Sequence, residues 1–469
     1  MALIVERLLE KLSRCGPEAR FVMETIARRA LSAAPAGGVV ESLQIKLLAK
    51  ELHLAQTVVS AALGELVSVG LVERIQGAIA VRGRPTISYQ IASSVLSNLD
   101  GKQCNSAHHQ RYLERLFSEA DIPAQVLFKQ SKGQSKREVT TKDGRPAPPG
   151  ARGRLSICNR LLLGVLLDRA DQFGVVRELS SLELKILTGL NSESLKNRLQ
   201  RLLKVGLIRC YVPGCTSSLF LRKSKKMSSI YFLNLGHKGF GVKPSCVVMV
   251  HQLRSLSFSR YDKIDELFRA VRSSGSDRKL YQLDAPKSVV SLLNKEKNNV
   301  VKFLRVLFYQ YASELLMRHW QELDGITPLD CKWLSERIEE DIQKPAAFGV
   351  DAAENEKSWQ SAVSYLCTVI IEIARLYKQG FGSISGVSWE TAEFSILPVL
   401  SIDGLESIAL ILKKPSEDFP LCTVKLGDRY GGGMQSEEYV AEAEISPRYQ
   451  AELGLVTKKV GGRLLKRDL

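Results

Sequence analysis

Two arginines separated by one glycine form the most distinctive polar group of the chain. Arg82 and Arg84 stand on either side of Gly83, and Pro85 follows them. Glycine lets a backbone approach another molecule closely, and proline keeps the segment extended. Such a narrow segment can lie in an A·T-rich minor groove, whose negative potential attracts guanidinium groups. We predict that Arg82 and Arg84 enter a minor groove; a turn with incidental charge is the alternative.

A second basic group lies further along the chain, in the sequence Arg-Lys-Ser-Lys-Lys. Lysines of this kind are suited to phosphate contacts, which position a protein on DNA without specifying a base. The predicted phosphate contacts are Arg222, Lys223, Lys225 and Lys226.

Residues 96–154 are predicted to form a flexible, basic, Pro/Gly-rich linker. Their second part, residues 129–154, holds eight Lys or Arg residues against two acidic ones, and seven glycines or prolines that disfavour regular structure. Arg145, Arg152 and Arg154 are predicted to track a minor groove, with a solubilising tether as the alternative.

The net charge of +16 is concentrated in the first half of the chain. Residues 1–240 hold 36 Lys or Arg and 19 Asp or Glu residues, a net charge of +17, whereas residues 241–469 hold 30 and 31. This asymmetry indicates a half that binds a polyanion joined to a near-neutral half. A solubilising basic surface is the alternative.

An internal repeat relates two parts of the basic half. The apolar pattern of residues 63–71 recurs at residues 199–207, at an offset of 136. Such matching indicates that one supersecondary unit is used twice. The matched pairs are Leu48/Leu184, Leu54/Leu190, Val59/Leu195, Leu63/Leu199, Leu66/Leu202, Val69/Val205, Gly70/Gly206 and Leu71/Leu207.

Each copy is predicted to contain three helices followed by a β-hairpin. Apolar residues at helical spacing mark the helices, and a glycine that can form a left-handed cap follows the third helix of each copy. The first copy is predicted to have helices Pro17–Leu31, Ser42–Leu52 and Gln56–Val69, and strands Leu71–Ile75, Ile79–Val81 and Ile87–Ile91. The second is predicted to have helices Leu155–Arg169, Leu182–Leu187 and Ser192–Val205, the last capped by Asn191 or Ser192, and strands Leu219–Leu221 and Ile230–Leu233.

This order of elements, with a basic hairpin tip, resembles the winged helix-turn-helix domains of bacterial transcription regulators of the MarR-like kind. The specific parts are the ending L-x-x-L-x-x-x-G-L-[VI], present in both copies, and the sequence G-R-P-x-x-x-Y at residues 83–89. The second copy has Arg-Lys-Ser-Lys-Lys where the first has Gly-Arg-Pro. The resemblance covers about residues 15–92 and 155–236.

The resemblance implies that the third helix of each copy lies in a major groove, with its N-terminal residues against the bases. Gln and Asn can pair with adenine, Lys with guanine, and Glu can accept from cytosine. A solvated helix face is the alternative. The segment from Arg82 to Pro85 also matches the core of an AT-hook. The predicted contacts are Gln56, Thr57 and Ser60 in the first copy, and Ser192, Glu193, Lys196, Asn197 and Gln200 in the second.

The second half is predicted to hold a helical region at residues 245–345 and a C-terminal α+β domain at residues 346–469 that ends in a basic tail. The expected fold class for the whole chain is mainly α with small β wings. The predicted elements are helices Val300–Leu323, with Asn299 as the cap, and Ser358–Tyr377, followed by antiparallel strands Phe394–Ile402, Ser407–Leu412 and Leu421–Leu426.

Catalytic and metal-binding motifs are absent from the sequence. There is no Walker A loop, nucleophile elbow or His/carboxylate metal pattern, and the closest pair of the nine cysteines, Cys210 and Cys215, lacks a second pair at zinc-finger spacing. We predict no enzyme, cofactor or metal. The scattered cysteines favour a reducing cytoplasm, and no apolar run is long enough to span a membrane.

These observations favour a sequence-specific, double-stranded DNA-binding protein, namely a bacterial transcription regulator associated with the nucleoid. A plasmid or mobile-element replication or partition protein is one alternative. A structural, chromosome-organising winged-helix protein is another. Residues 245–469 are predicted to serve a homo-oligomer or a partner protein.

Overall fold

The computed structural model describes residues 3–33, 43–76, 87–100, 108–118, 122, 154–220, 226–253, 286–293, 296–325, 332–344, 352–382, 384, 386–398, 406–414, 416, 422–426, 436–439 and 445–456. These residues form mainly helices together with small, mostly antiparallel sheets, as the sequence predicts. The chain divides into two units: unit 1 is residues 1–208 and 233–243, and unit 2 is residues 209–232 and 244–469. Among the described residues, no helix is both long and apolar enough to cross a membrane.

The first copy of the repeat folds with the predicted order of elements. Its apolar residues Val59, Leu63 and Leu66 are buried, and Gly70 ends the third helix with a φ of 69°. The predicted strand Ile79–Val81 lies outside the described residues. The elements are helices α3 (Pro17–Ala33), α4 (Ile45–Glu51) and α5 (Gln56–Ser68) and the antiparallel strands β1 (Val72–Gln76) and β2 (Ile87–Ile91).

The second and third helices of the second copy begin where the offset of 136 predicts, at Ser181 and Ser192. Asn191 caps the third helix by accepting a hydrogen bond from the Ser194 amide at 2.8 Å, and Gly206 ends it with a φ of 86°. Ser180 and Glu183 form a capping box on the preceding helix. The elements are α8 (Ile157–Asp168), β3 (Val175–Val176), α9 (Ser181–Thr188), α10 (Ser192–Val205), β4 (Ile208–Val212) and β5 (Ile230–Leu233).

Part of the predicted linker is a packed helix, so that prediction is corrected. After α6 (Ser93–Asp100), helix α7 (Gln110–Ser118) packs on α8 and α3. Tyr112, Leu113, Leu116 and Phe117 are buried, because they repeat at helical spacing on one face. The remaining linker residues 101–107, 119–121 and 123–153 lie outside the described residues.

The first helices of the two copies, α3 and α8, pack against each other inside unit 1. Every residue from Ile157 to Leu167 is buried. The guanidinium of Arg160 lies 4.7 Å from the centre of the Phe21 ring and donates to the Leu116 carbonyl at 2.7 Å. This buried charge therefore has hydrogen-bond and aromatic partners within the core.

The N-terminal segment is held against α3 and α8 by two carboxylates. It forms the short helices α1 (Ile4–Arg7) and α2 (Leu9–Leu12). Glu24 accepts from the Val5 amide at 2.8 Å, and Asp168 accepts from the Leu3 amide at 3.0 Å. Burial raises the pKa of both carboxyl groups.

The hairpin after α10 differs from its prediction. Strand β5 pairs with β4, and Leu219 and Phe220 do not pair with β5, because their backbone is bonded elsewhere; Leu221 lies outside the described residues. Phe220 forms an isolated bridge with Ile342, and the Gln343 amide donates to the Leu219 carbonyl at 2.7 Å. The Phe220 ring lies 5.3 Å from that of Phe303, so this segment belongs to the core of unit 2.

Unit 2 contains a five-stranded sheet in the order β10-β9-β6-β8-β7. Strand β6 comes from the region predicted to be helical, which is a second correction: Val247, Val248, Met249 and Val250 are buried. Strands β7 and β8 are antiparallel neighbours, as predicted. Because β6 lies between β8 and β9, the predicted neighbours β8 and β9 are not adjacent, and β9 runs parallel to β6. The strands are β6 (Cys246–Leu253), β7 (Phe394–Leu397), β8 (Glu406–Lys413), β9 (Cys422–Leu426) and β10 (Ser436–Tyr439).

Helices pack on this sheet and on one another. Helix α12 packs on α14 and on β7, and Ser313 accepts from the Ile396 amide at 2.9 Å. Helix α12 begins one residue before the predicted cap Asn299, so Asn299 lies inside the helix and does not cap it. The helices are α11 (Lys287–Leu293), α12 (Asn298–His319), α13 (Lys332–Asp341), α14 (Ala352–Phe381) and α15 (Pro447–Glu452).

Candidate nucleic-acid interface

The predicted contact residues of the second copy share the outer face of α10. Leu195, Leu202 and Val205 are buried on the opposite side, which fixes the rotation of the helix. Exposed on the outer side are Ser192, Glu193, Lys196 and Asn197, with Gln200 half-buried one turn later. Amide, ammonium and carboxylate groups therefore line the first two turns of one helix, where a DNA major groove could be read.

Basic residues dominate the charge of α10. Lys196, Arg198, Arg201 and Lys204 stand against the single acidic residue Glu193. Some are held by local hydrogen bonds: Arg198 donates to the Ser156 hydroxyl at 3.3 Å. Lys185 of α9 donates to the Ser192 hydroxyl at 3.4 Å, which brings a further cation to the N-terminal turn of α10.

The outer face of α5 has a different chemistry. The predicted contacts Gln56, Thr57 and Ser60 are exposed, as expected, and Ala61 follows them. Helix α5 contains no Lys or Arg. Its one charged residue, Glu65, accepts a hydrogen bond from the Gly16 amide at 2.7 Å.

The helices α4 and α9 also present contrasting surfaces, which the sequence analysis did not single out. Lys46 and Lys50 are exposed on α4, one turn apart. The matching residues of α9 are apolar: Leu182 is 60% exposed and Ile186 is 45% exposed. The offset of 136 pairs these positions, so aligning the two copies would have revealed the contrast.

Most of the predicted wing and linker contacts lie outside the described residues. These are Arg82, Arg84, Arg145, Arg152, Arg222, Lys223 and Lys225. Arg154 is half-buried, and the neighbouring Leu155 amide donates to the Ile122 carbonyl at 3.0 Å. Lys226 is exposed and forms an isolated bridge with Thr216 in unit 2.

The cysteines closest in sequence are buried thiols. Burial raises the pKa of Cys210 to about 12 and that of Cys215 to about 11. Metal binding requires the thiolate, which such pKa values disfavour at neutral pH. In the part of the chain that the structure describes, no three His, Cys, Asp or Glu residues are grouped to hold a metal ion.

Unit 2 has an open cavity of about 470 Å³ beside a pair of stacked indoles. The Trp320 and Trp389 rings lie 4.9 Å apart. Lys378 donates to the Trp320 carbonyl and lies 2.7 Å from an Asp324 carboxylate oxygen, so its ammonium ties α14 to the end of α12. The lining residues are Trp320, Gln321, Asp324, Lys378, Gln379, Gly382 and Glu390.

In comparisons with known proteins, the chain matches no protein-family model and no curated protein. The inference of function therefore depends on the residues and their geometry.

Proposed function

We propose that this chain is a sequence-specific, double-stranded DNA-binding protein with tandem winged helix-turn-helix modules, acting as a bacterial transcription regulator. In this proposal the modules are the two copies of the repeat. The third helix of a module enters the major groove, and the basic hairpin tips contact the minor groove and phosphates.

The observation that carries the proposal is the outer face of α10. Lys196 and Asn197 are exposed in its second turn, on a helix whose charge is dominated by basic residues. In each copy the second and third helices meet at a short turn. The third helix ends at a glycine with a positive φ, and a strand follows. A helix presented in this way, in the half of the chain with a net charge of +17, is suited to a polyanionic groove.

The chemistry assigned to this face follows from base-edge geometry. Asn197 can donate to and accept from adenine, and Lys196 can donate to the guanine acceptors. Glu193 can accept from the cytosine amino group. The predicted phosphate contacts Arg222, Lys223 and Lys225 would add affinity without changing sequence preference.

The proposal is tested by selection from random duplex DNA with the full-length chain, followed by titration of the selected duplex at several salt concentrations. We expect one motif to be enriched. With about eight phosphate contacts, the logarithm of the association constant should fall against the logarithm of salt with a slope of about −7. Lys332→Ala removes an exposed lysine of unit 2 and should leave both results unchanged. No enriched motif and a flat salt dependence would contradict the proposal.

The regulatory role is tested separately by mapping where the protein binds on the genome of its host. A transcription regulator should be bound at promoters. Occupancy at a replication origin or a partition site, or uniform occupancy along the chromosome, would leave DNA binding intact and contradict the assigned role.

A further inference from the structure

We infer that the two modules divide major-groove recognition unequally: α10 reads the bases, whereas the helices α4 and α5 of the first module contact only the phosphate backbone, through Lys46 and Lys50 of α4. This inference rests on the proposed function. The repeat places helices with different surfaces at equivalent positions, so these helices can be compared residue by residue.

The equivalence of the two modules is structural as well as sequential. Helices α5 and α10 begin at Gln56 and Ser192, and strands β1 and β4 begin at Val72 and Ile208, each pair separated by 136 residues. Gly70 and Gly206 end α5 and α10 with positive φ values of 69° and 86°. Outer-face residues of α5 and α10 that differ by 136 therefore occupy equivalent positions.

At positions 61, 64 and 65 α5 lacks the groups that could read or bind DNA, whereas Gln56, Thr57 and Ser60 keep polar side chains. Ala61 stands where α10 has Asn197, and Gly64 stands where it has Gln200. Alanine and glycine side chains have no donor or acceptor for a base edge. Glu65 replaces Arg201, which puts a negative charge where α10 has a positive one.

The absence of a side chain at Gly64 of α5 is not required by packing. A Cβ atom added at Gly64 would meet no other atom within 4 Å, so a larger side chain fits there. In the part of the chain that the structure describes, no neighbouring atom requires a small residue at position 64. At position 64 the difference between α5 and α10 is therefore a difference in surface chemistry.

Helix α4 has exposed basic residues, which α5 lacks. In a helix-turn-helix unit the helix before the recognition helix crosses the DNA backbone. Lys46 and Lys50 are exposed there, whereas α9 has the exposed apolar residues Leu182 and Ile186 at the equivalent positions. Ammonium groups on α4 can neutralise phosphates, and they do not discriminate between bases at that position.

Three variants of the full-length chain test the division, each measured on the selected duplex and on duplexes with single base-pair changes. Lys46→Ala combined with Lys50→Ala should weaken binding to all duplexes alike and reduce the salt slope by about two. Asn197→Ala should reduce discrimination at one base pair by between about fivefold and about a hundredfold. Gln56→Ala combined with Thr57→Ala and Ser60→Ala should change discrimination by less than about twofold.

A gain-of-function variant provides a test that does not depend on loss. Ser60→Lys, Ala61→Asn and Gly64→Gln together place the α10 residues on α5. This variant should bind more tightly and select additional conserved base pairs in a new round of selection. Circular dichroism and thermal unfolding confirm that each variant remains folded.

Different experimental results would contradict the proposed function and the division between the modules. A wild-type chain that selects no sequence would overturn the proposed function. A wild-type chain that selects a sequence, but loses it when Gln56, Thr57 and Ser60 become alanine, would overturn only the division. An unchanged salt slope in the Lys46 and Lys50 variant would also overturn the division.

Discussion

Two asparagines of the second module have separate roles although they lie close together. Asn191 precedes α10 and accepts from the Ser194 amide, which satisfies one of the unpaired donors of the first turn. Asn197 lies in the second turn on the exposed face. The same side chain therefore stabilises the helix at one position and is available to a ligand at the other.

We predict that Asn191→Ala lowers the free energy of unfolding by about 1 kcal/mol, because the helix loses its capping acceptor. Asn197→Ala is the matched control, since it removes the same side chain from an exposed position of the same helix. Its stability should change by less than about 0.5 kcal/mol, while its base discrimination falls. Thermal and urea unfolding measure the stability of the two variants. Equal destabilisation by the two variants would contradict the assignment of roles.

At the scale of elements, α7 joins the two copies into one core. Its Phe117 ring packs against the ring of Phe21 in α3, with the ring centres 5.4 Å apart. On the other side, α8 offers Gly164, where a Cβ atom would lie only 2.8 Å from the Phe117 ring. The glycine is thus needed for the close approach of two helices, and not for a backbone conformation.

We predict opposite effects for two helical glycines changed to alanine. Gly164→Ala should destabilise unit 1 by about 1–3 kcal/mol, because the buried Phe117 ring must move. Gly64→Ala on α5 has open space around it and should stabilise by about 0.5–1 kcal/mol, through helix propensity. Urea unfolding followed by circular dichroism compares them. A neutral Gly164→Ala variant would indicate that α7 does not pack on α8 in solution.

At the scale of the whole molecule, the boundary of charge and the boundary of structure do not coincide. The basic half ends near residue 240, but residues 209–232 belong to unit 2. Phe220 is buried there against Phe303. All four tryptophans, Trp320, Trp333, Trp359 and Trp389, also lie in unit 2, so their fluorescence reports on its unfolding.

We predict that Phe220→Ala shifts the urea midpoint of the tryptophan fluorescence transition downwards, with a loss of about 3–5 kcal/mol, because a large buried ring leaves a cavity. Leu182→Ala removes a largely exposed apolar side chain from unit 1 and serves as the control. Its transition should not move. An unchanged midpoint for Phe220→Ala would show that this residue is not part of the core of unit 2.

Local features of the basic half could be predicted from the sequence alone. The sequence predicts the helices near residues 17, 45, 56, 157, 181 and 192, together with the asparagine cap and the glycine ends, and the structure confirms them. These features depend on residues within a few positions of one another, whose spacing is visible in the chain. The exposed face of α10 follows from the same periodicity.

Long-range partners were decided only by the tertiary structure. The sequence predicts a helical region where β6 lies, because the position of this short apolar run between β8 and β9 depends on residues more than 150 positions away. The basic residues, prolines and glycines around helix α7 predict a linker, although the apolar residues of α7 itself have helical spacing. Residues 219–220 pair with the end of α13 and not with β5. A strand or a short helix carries its own periodicity but not the identity of its neighbour, which is selected by burial and backbone hydrogen bonding in the folded chain.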